Sequence, residues 1–143
     1  MNVNELLSLK GKVILVTGGS GKYGQCIVEG LAEAGATVIT TSRDIRRAEE
    51  TAAHFCDAGY EVIAMAVDQS RPATVDALKK QISERFEKLD GFVNNAVSRP
   101  MKDDKSPLGQ FAESMEDNAT GMFHLLREMT DLIIQSGGRG RFS

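Results

Sequence analysis

A glycine-rich turn carries the clearest chemical signal in this sequence. Residues 19–24 read Gly-Ser-Gly-Lys-Tyr-Gly and fit the pattern G-x-G-x-x-G, directly after an apolar run and at the start of a helical pattern. In this context one glycine permits the tight turn, one lets a pyrophosphate approach the backbone, and one lets the helix pack on the strand. Free N–H groups and the positive end of the helix dipole then face the phosphates. The turn predicts a dinucleotide site; the alternative is a glycine-rich turn that holds no ligand.

Short apolar runs and helical patterns alternate along the rest of the chain. The predicted strands are 12–17, 37–41, 61–67 and 89–93, and residues 136–143 have the composition of a turn entering a fifth strand. Two helical patterns end at Gly35 and Gly59, and a third begins near Pro72. Strands that alternate with helices of this length predict βαβ units and a parallel sheet with right-handed crossovers. A long helix follows the fourth strand, and its predicted apolar stripe consists of Phe111, Met115, Met122, Phe123, Leu126, Met129 and Ile133.

Length, composition and charge exclude several classes of protein. The 143 residues suit one domain, and 41% hydrophobic with 26% charged residues excludes wholesale disorder. No apolar run approaches the ~20 residues of a membrane-spanning helix, and the first residues lack the layout of a secretory signal. A pI near 5.4 without a basic cluster argues against nucleic acid as a partner. We therefore expect a single domain over residues 1–143, in the cytoplasm, without a nucleic-acid or membrane partner.

The cysteines and histidines predict neither a disulfide framework nor a metal site. Cys26 and Cys56 lie in helical patterns and are interpreted as small buried thiols. His54 and His124 lack Cys, His or carboxylate partners at metal-ligand spacing, so we expect no metal.

The glycine turn and the segments after it resemble the short-chain dehydrogenase/reductase family. Residues 16–24, Val-Thr-Gly-Gly-Ser-Gly-Lys-Tyr-Gly, are similar to that family's T-G-x-x-x-G-x-G turn. Thr17, Gly18 and Gly24 match it. Lys22 stands where the family usually has its middle glycine, with a glycine one position early.

Three further matches follow in the family's order. Asp68, at the end of the third predicted strand, resembles the adenine-contacting aspartate. Asn94-Asn-Ala96 resembles the N-N-A-G turn after the fourth strand, with Val97 replacing the glycine. Asn118 stands where the family has its catalytic asparagine. The ordered set spans almost the whole chain.

The resemblance implies a fold, an activity and a set of site residues. The fold is α/β, a three-layer doubly wound parallel sheet of Rossmann type with strand order 3-2-1-4-5. The activity is NAD(P)-dependent hydride transfer between the nicotinamide and a ketone or secondary alcohol. Asn118 is the implied catalytic residue, through a water-linked proton path. The implied cofactor-binding residues are Gly18, Ser20, Gly21, Lys22, Tyr23, Gly24, Ser42, Arg43, Asp68, Gln69, Asn94 and Ala96.

The segment after the second strand predicts which nicotinamide cofactor is preferred. By alignment to the family, Ser42 takes the usual acidic position and Arg43 follows it. A hydroxyl and a guanidinium suit a 2′-phosphate, which favours NADP, with NAD as the alternative. Asp44 is one step too late and is predicted to be a helix N-cap. Residues 46–50, Arg-Arg-Ala-Glu-Glu, are interpreted as a charged helix face with local ion pairs, and Arg43 itself could be a solvated surface arginine.

Lys22 departs from the family pattern in a way that bears on phosphate binding. A lysine in the first helical turn opposes the helix dipole by roughly 0.3–1 kcal/mol, and an anion in the turn reverses the sign. One hypothesis is that Lys22 approaches a cofactor phosphate. The alternative is an exposed lysine with its head in water.

The family's reaction also needs a serine, a tyrosine and a lysine four residues after the tyrosine. The tyrosines of this chain are Tyr23 and Tyr60, and neither is followed by lysine at that spacing. We therefore expect the chain to be C-terminally truncated relative to the family. A non-catalytic nucleotide-binding fragment or an inactive truncated gene product is the alternative to an oxidoreductase. The missing helices would leave the stripe of the long helix partly bare, so we expect self-association through residues 108–136.

Overall fold

Nine secondary-structure elements make up the described part of the chain. The computed structural model describes residues 8–95, 120–136 and 141–142. The elements are β1 (Val13–Thr17), α1 (Lys22–Glu33), β2 (Thr37–Ser42), α2 (Ile45–Asp57), β3 (Val62–Ala66), α3 (Pro72–Phe86), β4 (Gly91–Asn94), α4 (Met122–Gln135) and β5 (Arg141–Phe142). The strands pair in parallel in the order β3-β2-β1-β4-β5, which confirms the predicted fold.

The register of the sheet brings the carboxyl ends of its strands together. All five residues of β1 are buried, as expected of a central parallel strand covered on both faces. Thr17, its last residue, pairs with Thr41 of β2 on one side and with Asn94 of β4 on the other. The loops after β1, β2, β3 and β4 therefore gather at one edge, called here the carboxyl edge. Ligands of open α/β sheets bind at this edge.

Helices cover both faces of the sheet and form two apolar cores. One core joins Leu15, Ile39 and Phe92 to residues of α3 and α4. The other core joins Val16 and Val38 to residues of α1 and α2. The result is three layers, as predicted. No helix in the described ranges combines the length and the apolar character needed to cross a bilayer.

The buried face of α4 differs from the predicted apolar stripe. Its buried residues are Leu125, Met129, Leu132 and Ile133, which lie on one face at helical spacing. Met129 and Ile133 were predicted correctly, but Phe123 is 66% exposed. The predicted stripe joined Phe123 to a face from which it is rotated away. Phe111 and Met115 of that stripe lie outside the described residues.

Both cysteines are exposed, so the prediction of buried thiols is wrong. The buried positions of α1 are Gly24, Val28 and Ala32, a four-residue repeat that places Cys26 on the opposite face. Cys56 follows the last buried residue of α2, and its Sγ donates to the carbonyl of Val62 at 3.2 Å. Helical position, which residue type alone does not give, decides the exposure of both.

Candidate dinucleotide site

A cleft of about 570 Å³ opens at the carboxyl edge of the sheet. It is lined by Thr17, Gly18, Ser20, Gly21, Lys22, Tyr23, Thr41, Ser42, Arg43, Arg47, Val67, Asp68, Gln69, Asn95 and Leu125. Nine of the residues predicted from sequence are in this set. Gly24 and Asn94 lie next to the cleft without lining it, and Ala96 and Asn118 lie outside the described residues.

The glycine turn is shaped by close backbone approaches. Gly18 has a φ of +68°, in the left-handed region that favours glycine. A Cβ at Gly24 would lie 2.0 Å from the carbonyl oxygen of Gly18, so only glycine lets α1 start against this turn. A Cβ at Gly21 would meet no atom nearer than 3.8 Å. Gly21 therefore faces the cleft, whereas Gly24 serves packing.

The start of α1 has the properties of an anion site. Its N-cap is Gly21, which offers no side-chain hydrogen bond, and its first turn contains no acidic residue. The first N–H groups of a helix lack partners within the helix, and the helix dipole is positive there. Lys22 and Tyr23 line the cleft beside them.

A hydrogen-bond network ties the glycine turn to the end of β4. The Thr17 hydroxyl donates to Asn94 Oδ1 at 2.9 Å, and the Asn95 amide N–H donates to Thr17 Oγ1 at 3.0 Å. Asn95 Nδ2 also donates to the Gly18 carbonyl at 3.2 Å. Asn95 thus fixes the turn that shapes the cleft. It was quoted in the family motif but was not predicted as a site residue.

Two arginines reach the cleft from the segment after β2. Asp44 accepts from the Arg46 N–H at 3.0 Å and caps α2, which confirms its predicted N-cap role. Arg43 and Arg47 both line the cleft, and neither forms an ion pair within residues 8–95 and 120–136. The interpretation of Arg47 as part of a paired helix face is therefore wrong. Its position in the first turn of α2, directly after the β2–α2 loop, is the sequence signal that places it beside the cleft with Ser20 and Ser42.

The β3–α3 loop supplies the far wall of the cleft. Asp68 Oδ1 accepts from the backbone N–H and the hydroxyl of Ser70, at 3.0 and 2.6 Å. Gln69 is 8% exposed, and its Oε1 is buried without a hydrogen-bond partner among the described residues. Thr41 Oγ1 is also buried without a hydrogen-bond partner among the described residues. Buried polar atoms normally have partners, so two unpaired ones beside a cleft favour a polar occupant.

Neither tyrosine has the surroundings of a catalytic acid. Tyr60 precedes β3 and so lies at the opposite edge of the sheet from the cleft. Burial, together with the carboxylates of Glu33 and Glu29, raises the pKa of Tyr60, the opposite of what proton transfer near neutral pH requires. Tyr23 lines the cleft but is 82% exposed.

The sequence predicted that His124 has no carboxylate partner at metal-ligand spacing, and this prediction is wrong. Its Nε2 lies 3.3 Å from Asp76 Oδ1, and Glu128 lies one turn further along α4. Asp76 belongs to α3, so sequence spacing could not place it. Glu128 lies four residues after His124, so its place on the same helix face could have been predicted from the sequence but was not.

Three comparisons place this architecture among known proteins. The family described as short chain dehydrogenase matches residues 12–141. A rhamnolipid-biosynthesis 3-oxoacyl-(acyl-carrier-protein) reductase of Pseudomonas aeruginosa is 34% identical over 130 residues, which cover 90% of this chain and 50% of that protein. The Pseudomonas aeruginosa RhlG/NADP active-site complex matches with a TM-score of 0.77 and 33% identity, covering 88% of this chain and 48% of the other. A gluconate 5-dehydrogenase from Burkholderia cenocepacia in complex with NADP and tartrate gives 0.77 and 27%, covering 91% and 51%.

The extent of these matches establishes the family. The chain spans about half the length of the relatives it matches. The family match nevertheless extends over most of the chain, from just before β1 into β5. This chain belongs to the short-chain dehydrogenase/reductase family.

Proposed function

We propose that residues 1–143 are a single NAD(P)-binding domain of an oxidoreductase, and that NADP is the preferred cofactor. The observation that carries the preference is the end of the cleft after β2. There Ser42 takes the place of the family's acid, and the guanidinium groups of Arg43 and Arg47 line the wall. A guanidinium forms strong paired hydrogen bonds to a phosphate, whereas a ribose 2′-hydroxyl needs an acceptor. NAD is the alternative.

The residues of the cleft fit a dinucleotide. The Gly18–Gly24 turn and the start of α1 would hold the pyrophosphate, with Lys22 beside it. Asp68 and Gln69 would lie against the adenine, where the unpaired Gln69 Oε1 could accept a hydrogen bond. Asn94 and Ala96 would contact the nicotinamide half. Two of the similar structures contain NADP, which supports the same cofactor here.

The proposed reaction interconverts a ketone and a secondary alcohol. When bound, the nicotinamide supplies or accepts the hydride. The residues of this chain bind and orient the cofactor, and Asn118 would maintain a proton path. For the 143 residues by themselves a second function is favoured, dinucleotide binding without hydride transfer, because neither Tyr23 nor Tyr60 has a lysine four residues later.

Thermal unfolding with and without cofactor tests the proposal. A ligand at 100 times its dissociation constant stabilises the native state by about 2.7 kcal/mol. We expect a clear upward shift of Tm with NADPH and a smaller one with NADH at the same concentration. Equal shifts would refute the NADP preference but not dinucleotide binding. The absence of any shift with either cofactor would refute both.

We also propose that the chain self-associates through α4. Phe123 and Ile134 are 66% and 63% exposed, and both line a shallow depression on this helix. A second copy would cover this apolar surface. Sedimentation velocity of the wild type and of Phe123→Asp tests this, with Cys26→Ser as an exposed control substitution. A dimer that dissociates only in Phe123→Asp supports the proposal, and a monomeric wild type contradicts it.

A cytoplasmic location completes the proposal. Cys26 and Cys56 are both free and exposed, which suits a reducing compartment. Fractionation of expressing cells, with detection of the chain in the soluble fraction, tests this.

A further inference from the structure

A second cluster of polar side chains lies away from the cleft, where α3 packs against α4. Its members are Asp76 of α3 and His124 and Glu128 of α4, and one ligand atom of each lies within 4.8 Å of the others. His124 and Glu128 are four residues apart and so share one face of the helix. None of the three lines the cleft. The cluster therefore needs its own explanation.

The imidazole of His124 is incompletely satisfied. Its Nε2 is buried and has no hydrogen-bond partner in the described part of the chain. Asp76 Oδ1 lies 3.3 Å from this nitrogen without forming a hydrogen bond to it. A buried, unpaired ring nitrogen beside two carboxylates is unusual, because buried polar atoms are normally paired. A neutral imidazole nitrogen is also a common metal ligand.

Lys79 holds Glu128 in place and keeps it ionised. The Lys79 ammonium donates to Glu128 Oε2 at 2.8 Å and to Asp131 Oδ2 at 2.5 Å. The hydrogen bond from Lys79 lowers the pKa of Glu128. Asp131 shares in balancing the lysine charge. Glu128 Oε1 lies 3.6 Å from the Nε atom of the exposed Arg127, a contact longer than a hydrogen bond, so a metal ion could replace it. Outer hydrogen bonds of this kind are usual for carboxylate ligands of metals.

We propose that Asp76, His124 and Glu128 form a binding site for a divalent transition-metal ion of the Zn²⁺ class, which joins α3 to α4. One imidazole nitrogen and two carboxylate oxygens suit Zn²⁺ or a neighbouring first-row ion, with water at the open positions. The imidazole selects against Mg²⁺ and Ca²⁺, which take oxygen ligands.

Binding requires only a small local rearrangement. Ligand bonds of about 2.0–2.2 Å place the donor atoms closer together than they lie here. The Asp76 side chain is 64% exposed and can swing toward the site without disturbing the core. Its helix is already packed against α4 through Leu78, Ile82 and Leu125, which belong to one apolar core. The metal would therefore fix side chains on a preformed helix pair.

Calorimetric titration of the metal-free chain with Zn²⁺ tests the site. We expect one Zn²⁺ per chain in the wild type, no comparable binding of Mg²⁺, and affinity lowered about tenfold or more in both His124→Gln and Asp76→Asn. Asp76→Asn keeps the test decisive if His124→Gln fails to fold, because Asp76 is exposed. His54→Gln, at an exposed position of α2, is the matched control and should bind like the wild type.

The exposed thiols require a second control because they also bind Zn²⁺. The titrations are therefore repeated in the Cys26→Ser, Cys56→Ser background, where one Zn²⁺ per chain should still bind. Loss of binding in this background, or wild-type affinity in Asp76→Asn, would overturn the proposal. So would the absence of Zn²⁺ binding by the wild type. The result is independent of the cofactor experiment, since no ligand of the metal lines the cleft.

Discussion

The cationic side chains of the α3–α4 surface and those of the cleft differ in whether they form ion pairs. Lys79, between α3 and α4, donates to two carboxylates at 2.8 and 2.5 Å. Lys22, Arg43 and Arg47 line the cleft without an ion pair in the part of the chain that the structure describes. Paired charges hold two helices together, whereas unpaired cations beside unpaired acceptors are suited to an anionic, polar ligand.

The same contrast separates two kinds of glycine. Gly24 is enclosed by the Gly18 carbonyl and the Gly19 backbone, whereas Gly21 faces the cleft. Gly24 is required because the protein's own backbone packs against it. Gly21 is required because it leaves space in the cleft. Substitutions that distinguish these requirements test the comparison most strongly.

We expect the largest effect from Gly24→Ala. Its Cβ would lie 2.0 Å from a backbone oxygen that cannot rotate away, so the turn must shift. We predict a loss of about 3 kcal/mol or more in the free energy of unfolding, measured by urea denaturation. Gly30→Ala, on the same helix with nothing within 4 Å of the new Cβ, should instead stabilise by about 0.5–1 kcal/mol.

Gly21→Ala completes this test because it should separate stability from binding. We predict a small change in stability and weaker NADPH binding, because the new methyl group enters the cleft. A destabilisation as large as that of Gly24→Ala would contradict the assignment of Gly21 to the ligand side.

Local sequence patterns predicted the fold and much of the cleft. The contacts that they did not predict depend on long-range packing. The strands and the Gly35 and Gly59 helix ends, with φ of +101° and +96°, follow from residue type and immediate neighbours. The approach of Asp76 to His124 depends on how α3 packs against α4. No spacing along the chain encodes it.

The predictions for Phe123 and Arg47 were wrong for a related reason. Both are on helices whose rotation is set by the sheet below them. Residue type identified an apolar and a charged side chain correctly, but the direction of each is a property of the packed layers.

The next largest effect is expected from substitution of the two cleft arginines. Arg43→Ala and Arg47→Ala should each weaken NADPH binding by about 1.5–3 kcal/mol, the range for hydrogen bonds to charged groups, and leave NADH binding nearly unchanged. Arg46→Ala is the matched control, since Arg46 pairs with Asp44 at 3.7 Å and does not line the cleft. Calorimetric titration with both cofactors measures the difference. Equal losses for NADPH and NADH would exclude a role in 2′-phosphate selectivity.

Lys79→Met should have a smaller effect, and one that depends on pH. Hydrogen bonding to Asp131 and Glu128 raises the pKa of Lys79, and hydrogen bonding to Lys79 lowers the pKa of Glu128. A lowered carboxyl pKa gives stability that is present above the unfolded value of 4.5 and is lost as pH falls through the folded value. A raised lysine pKa gives stability that is present below 10.5 and is lost as pH rises through the folded value.

The two linkages define the window in which the variant and the wild type differ. The stability difference should be no more than about 1 kcal/mol near neutral pH and should shrink in acid below pH 4.5. Urea denaturation of both proteins at several pH values measures it. A difference that stays constant into acid would mean that the effect of the substitution does not come from the ion pairs of Lys79.

The smallest effect is expected at Lys22, where the sign is more informative than the size. Without ligand, Lys22→Ala should stabilise the chain by about 0.3–1 kcal/mol, because a cation at the start of α1 opposes the helix dipole. With NADPH present the sign should reverse, since the variant loses an attraction to the phosphates. Lys80→Ala, at an exposed position in the middle of α3 and 4.0 Å from Glu84, serves as the control and should show no such reversal. Equal NADPH affinities for the wild type and Lys22→Ala would leave Lys22 as a solvated lysine, and the anion site would then depend on the backbone of the turn and on the arginines.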